Sequence, residues 1–152
     1  MATGMLTKSR GPFILKLGLS VLGGREQDMA RVLYIEDNQA NRLLVLRVLT
    51  AEGHTVLEAE NGLMGLQVAQ RERPDLVLVD ISMPEMDGYE VTSRLRALSE
   101  LERVPIVALT ANVLRGDRER SLQAGCDGYI QKPLDVDLLP SQVEAFLRAA
   151  AS

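Results

Sequence analysis

A chain of 152 residues is long enough for one domain with a sizeable core and too short for two of ordinary size. Its 46% hydrophobic and 25% charged content is that of an ordinary globular protein and suggests neither a disordered chain nor a fibrous repeat. With 3% aromatics, no Trp, a net charge of −4 and a pI near 5.1, it lacks the basic patch and stacking platforms of a nucleic-acid binder.

Residues 1–28 differ from the rest, with Lys8, Arg10, Lys16 and Arg25 set against only Glu26 and Asp28. Phe13–Leu22 is mostly apolar, but Lys16 interrupts it, and the run is far short of the roughly 20 residues of a membrane span. No convincing small-x-small cleavage site follows, which weakens a signal-peptide reading. An amphipathic helix binding a membrane or partner is one alternative. The favoured reading is a poorly ordered accessory extension before a domain over 29–150, because Met29-Ala30 followed at once by a strand reads as a natural beginning.

From Arg31 onward short apolar runs alternate with segments of helical period, the pattern of a parallel α/β sheet. The first strand is expected over Val32–Ile35 and its helix over Ala40–Glu52, ending at Gly53, which suits a left-handed C-cap. Thr55–Ala59 is the second strand, and Asn61-Gly62 turns into a helix reaching Arg73, where Pro74 stops it. Leu76–Asp80 is a continuous apolar run ending in a carboxylate, as strands buried on both faces read. A helix over Tyr89–Leu98, a strand over Pro105–Leu109 and a helix over Asn112–Ala124 stopped by Gly125 follow. Gly128–Gln131 is the fifth strand, and Asp135 is expected to cap a last helix reaching Ala149.

In such a sheet functional groups collect beyond the carboxyl ends of the strands. Glu36-Asp37 follow strand one, Asp80 ends strand three, Thr110 follows strand four and Lys132 follows strand five. Three carboxylates brought together repel one another unless a cation sits among them. Magnesium fits better than zinc, because the set is all oxygen, with neither His nor Cys. His54, at the far end of the sheet, reads as an ordinary surface or turn residue. A single Cys126 forms no intrachain disulfide and fits a reducing compartment, so a cytoplasmic location is expected.

Four stretches resemble the receiver domain family of bacterial response regulators: Val32–Asn38, Leu76–Gly88, Ile106–Ala111 and Gly128–Pro133. The likeness covers about Arg31 to Leu147 and is greatest to single-domain cell-cycle regulators of the DivK type and to hybrid-kinase receivers. It implies a flavodoxin-like, CheY-like α/β fold, a doubly wound five-stranded parallel sheet of order 2-1-3-4-5 with five helices. It further implies that Asp80 becomes an aspartyl phosphate beside magnesium held by Glu36, Asp37, Asp80 and the Ser82 carbonyl. Thr110 and Ala111 resemble the switch segment and Lys132 the ammonium that pairs with phosphoryl oxygens. Lys132-Pro133 would be cis.

The chain carries neither a P-loop nor a kinase-type glycine loop. The resemblance accordingly implies a phosphohistidine donor, on a histidine kinase or histidine phosphotransfer protein, and a phosphoacceptor that assists its own phosphorylation and dephosphorylation rather than an enzyme. Tyr129 resembles the aromatic reporter of the switch, or else is a strand residue packing one face of the sheet. Helix four, strand five and helix five would form the output surface toward a downstream protein, with Arg115, Arg118 and Arg120 alternating with Asp117 and Glu119. A solvated mixed-charge helix is the plainer alternative.

The first helix has more apolar residues than one buried stripe needs. If Leu44, Val45, Val48 and Leu49 face the sheet, Leu43 and Leu46 point outward beside Asn38, Asn41 and Arg42. With Pro133, these residues resemble a docking surface for a helical histidine-bearing partner. A stand-alone regulator, monomeric or weakly dimeric, is the favoured organisation, and a receiver excised from a hybrid histidine kinase is its rival. An aspartate-nucleophile phosphatase would want a second Asp two residues after the nucleophile, where Ser82 stands. A flavodoxin would have to hold a phosphate against Glu36 and Asp37.

Overall fold

The computed structural model describes residues 29–83, 86–111 and 116–151. Two strands that read as continuous apolar runs, Leu76–Asp80 and Ile106–Thr110, are buried at every position. They lie centrally in a five-stranded parallel sheet of order 2-1-3-4-5, made of β1 (Arg31–Ile35), β2 (Thr55–Ala59), β3 (Leu76–Asp80), β4 (Ile106–Thr110) and β5 (Gly128–Gln131). The crossovers are α1 (Gln39–Ala51), α2 (Gly62–Glu72), α3 (Gly88–Arg96) and α4 (Asp117–Ala124), and α5 (Leu139–Ala151) follows β5. This is the doubly wound α/β architecture expected from the sequence.

Alternation along the strands divides the core into two layers. Val32 and Tyr34 of β1 pack with Val45 and Leu49 of α1 and with Leu139 and Val143 of α5. Leu33 and Ile35 pack on the other face with Val68 and Ala69 of α2 and Val91 and Leu95 of α3. Each fully buried aliphatic side chain contributes about 1.5–3 kcal/mol of transfer free energy. Cys126 is buried in the second layer, and burial raises its thiol pKa.

Side-chain caps fix where the helices begin. Asn38 accepts from the Asn41 N–H at 2.9 Å, Asn61 from Met64 at 2.8 Å, and Asp87 from Glu90 at 2.9 Å. Gly88 opens α3 because a Cβ there would lie 2.6 Å from the Asp80 carbonyl oxygen. That close approach brings the start of α3 against the end of β3.

Four expectations are corrected. Asp135 does not cap α5: its side chain accepts from the Asp137 N–H at 2.9 Å in a local turn, and α5 begins at Leu139 with Pro140 in its first turn. Strand β4 starts at Ile106 and includes Thr110, and a short 3-10 turn over Ser99–Leu101 precedes it. Leu44 is exposed, because the buried stripe of α1 runs through Val45 and Leu49 with Val48 beside it. His54 is buried at the amino end of the sheet, where its Nδ1 accepts from the Ala30 N–H at 3.0 Å. Of the expected fourth helix, residues 112–115 lie outside the described residues.

Candidate functional site

The parallel register delivers the polar groups to one edge. Asp80 pairs with Leu109 across β3 and β4, and Thr110 pairs with Gln131 across β4 and β5. The Lys132 N–H then donates to the Thr110 carbonyl at 2.8 Å, which fixes where the lysine leaves the sheet. Its Nζ reaches Asp80 Oδ1 at 3.1 Å, and the Ser82 N–H donates to the same oxygen at 3.1 Å. The Lys132–Pro133 peptide is cis.

On the other side of Asp80, Glu36 extends the β1 ladder by donating its N–H to the Ala59 carbonyl at 3.0 Å. Carboxylate oxygens of Glu36, Asp37 and Asp80 lie within 4.8 Å of one another. Glu36 and Asp80 are buried, whereas Asp37 is exposed. Burial first, and then the charge of Asp80, push the Glu36 carboxyl up to about 7. A hard divalent cation would relieve this repulsion, and an all-oxygen donor set with one face open to water fits magnesium.

Two further groups frame Glu36. The Tyr34 hydroxyl donates to Glu36 Oε1 at 2.9 Å, and the Arg42 guanidinium donates to the Glu36 carbonyl at 2.7 Å. Burial and the Glu36 and Asp80 charges raise the Tyr34 pKa, so the phenol is neutral and able to donate. Arg42, expected at a docking surface, is turned inward, with its Nε 3.4 Å from Glu58 Oε1. It belongs to the frame of the site. Tyr34 escaped the sequence reading, although strand alternation offers a signal: residues two apart share a face, and Tyr34 and Glu36 are two apart.

The other expected residues fall at or near this edge. Thr110 is buried at the end of β4 and Ala111 is exposed just beyond it. Tyr129 is half-buried on the α2–α3 side of the sheet, with the Arg118 guanidinium 5.7 Å from its ring centroid. The Arg120 guanidinium lies 4.2 Å from the Tyr89 ring centroid, and Arg118 and Arg120 are both exposed. Arg115 and the side chain of Asp117 lie outside the described residues. Asn38, Leu43 and Pro133 are exposed, Asn41 and Leu46 are half-buried, and the exposed apolar pair on α1 is Leu43–Leu44. Among the described residues no helix is long and apolar enough to cross a membrane.

Comparison with known proteins agrees with this geometry. The family model described as the response regulator receiver domain matches residues 32–144. The polar-differentiation response regulator DivK of Brucella anthropi is 40% identical over 116 residues, covering 76% of this chain and 94% of that protein. The receiver domain of a Pseudomonas aeruginosa sensor histidine kinase, described with magnesium coordinated in its active-site cleft, superposes with a TM-score of 0.73 at 37% identity, covering 79% of this chain and 98% of that one. The chemotaxis protein CheY4 of Vibrio cholerae gives a TM-score of 0.75 at 29% identity over 78% of this chain and 98% of its own. The fold, the cluster at its carboxyl edge and these likenesses agree: the chain belongs to the receiver domain family of two-component response regulators.

Proposed function

We propose that Asp80 accepts a phosphoryl group from a phosphohistidine of a histidine kinase or histidine phosphotransfer protein, and that residues 29–150 act as the receiver while residues 1–28 are an accessory extension. The observation that carries this reading is the Glu36–Asp37–Asp80 cluster within 4.8 Å, with Lys132 3.1 Å from Asp80. Glu36, Asp37, Asp80 and the Ser82 carbonyl would hold magnesium. When bound, magnesium supplies positive charge to the phosphoryl oxygens and quenches the repulsion among the acids.

An Asp80 carboxylate oxygen attacks phosphorus in line. The new O–P bond forms as the N–P bond to the donor histidine breaks, and the imidazole leaves with the electron pair. Lys132 neutralises developing oxygen charge without reorganising, since it is already bonded to Asp80.

Readout follows from the same edge. A phosphoryl group on Asp80 draws the Thr110 hydroxyl and the Ala111 segment toward it, and the space left beside β5 shifts the packing of Tyr129 and α4. The two states differ by what the phosphoryl group gains in each. The α4–β5–α5 face then meets a downstream protein, while Asn38, Asn41, Leu43, Leu46 and Pro133, together with Leu44, receive the donor.

Incubation with a phosphotransfer protein labelled on its histidine tests the reading. Label should leave the donor and appear on the wild-type chain, and Asp80→Asn should stay unlabelled. Equal labelling of both proteins contradicts the assignment of Asp80.

A further inference from the structure

We infer that Tyr34 is a positioning residue for Glu36, its buried hydroxyl fixing the orientation in which that carboxylate meets a cation. The inference rests on the proposed magnesium site and adds to it a residue outside the ring of ligands.

Tyr34 follows Ala30, just before β1, and Val32 of β1 into the layer under α1 and α5 by alternation, and none of its surface is exposed. An aliphatic side chain would satisfy that environment. A phenol placed there must find a partner for its hydroxyl, because an unsatisfied buried donor costs about 1–3 kcal/mol. Its partner is Glu36 Oε1, 2.9 Å away and two residues along the same face.

Other contacts hold the second carboxylate oxygen of Glu36 and its backbone. The Asn38 N–H donates to Oε2 at 3.2 Å, and Arg42 holds the Glu36 carbonyl at 2.7 Å. Asn38 caps the helix that follows and Arg42 lies within it. Tyr34 alone of the three is anchored in the sheet. It therefore ties the carboxylate to the sheet, where a Glu36 carboxylate oxygen already lies within 4.8 Å of oxygens of Asp37 and Asp80 before a cation arrives. Hydrogen-bond partners behind a metal ligand typically change affinity by about 10–100-fold when removed.

Tyr34→Phe deletes the hydroxyl and keeps the ring. Magnesium is titrated into the unphosphorylated protein and followed by amide NMR shifts, in the wild-type and Glu36→Gln backgrounds. The expected result is a dissociation constant raised about tenfold by Tyr34→Phe in the wild-type background and unchanged by it when Glu36 is already Gln. An unchanged constant in the wild-type background, or the same loss in both backgrounds, overturns the inference, the latter because it marks a general loosening. If Tyr34→Phe does not fold, wild-type protein carrying fluorinated tyrosine decides: the Tyr34 fluorine resonance should move along the magnesium binding curve, and a resonance that stays still overturns the inference. Failure of the wild type to bind magnesium at all would remove the proposed site itself, a different outcome from an unaltered Tyr34→Phe.

Discussion

The two edges of the sheet handle charge in opposite ways. At the amino edge acids meet partners: Asp75 accepts from the Arg31 N–H at 2.8 Å, Glu72 lies 2.7 Å from the Arg31 guanidinium, and Asp127 lies 2.6 Å from Arg96. Arg96 also donates to the carbonyls of Leu101, Glu102, Val104 and Gly125, tying the approaches to β4 and β5 together. At the carboxyl edge three acids crowd within 4.8 Å, with Lys132 bonded to Asp80. The first arrangement stabilises the fold. The second holds acids in repulsion, a cost that an added cation would relieve.

The contrast is broken most severely at Arg96. Arg96→Ala should lower the unfolding free energy by about 3 kcal/mol in urea denaturation, because several partly exposed hydrogen bonds go at about 1 kcal/mol each and Asp127 loses its cation. A loss under about 1 kcal/mol would mean that the amino edge is not held this way.

Next in size is a pH effect of opposite sign at the two edges. In the metal-free protein the folded-state Glu36 carboxyl sits at about 7, above its ordinary 4.5, so it binds its proton more tightly folded than unfolded. Its contribution is full below about pH 4.5 and is lost as pH rises through 7, a change of about 2–3 kcal/mol between pH 5 and pH 8. Glu72, lowered by hydrogen bonds from Arg71 and Arg31, contributes the other way: its share is present above its unfolded pKa and is lost on acidification. Urea midpoints at pH 5 and pH 8 in chelator should show the decline in wild type and a smaller one in Glu36→Gln. Magnesium should flatten it.

The smallest effect is the most counterintuitive. Asp80→Asn should raise metal-free stability at pH 8 by about 1 kcal/mol by removing one of three repelling charges, although it unpairs Lys132. A melting temperature that falls instead would show the Lys132 pair outweighing the repulsion.

Sequence made the sheet and most of the site legible for a physical reason. Strands β2, β3 and β5 match their expected ranges because apolar runs bounded by Gly, Pro or Asn leave few registers, and a parallel register fixes which residues emerge at the carboxyl edge. The start of α5 was not legible, because an Asp before a helical run can close a turn as readily as cap a helix, and Asp135 closes the turn. Leu44 was misplaced because a run of consecutive apolar residues does not reveal the centre of its buried stripe. His54 and Tyr34 hide for a related reason: each is polar but buried, and its partner lies on the backbone or two residues away.

The central claim, that the crowded edge exists to take a cation and then a phosphoryl group on Asp80, is tested most directly by mapping the modified atom. The protein is treated with acetyl phosphate in magnesium or in chelator, and the product is reduced with borohydride and sequenced by mass spectrometry. Reduction at Asp80 in magnesium, with none in chelator, is the expected result. Modification at another carboxylate, or at Asp80 equally in chelator, would contradict the account.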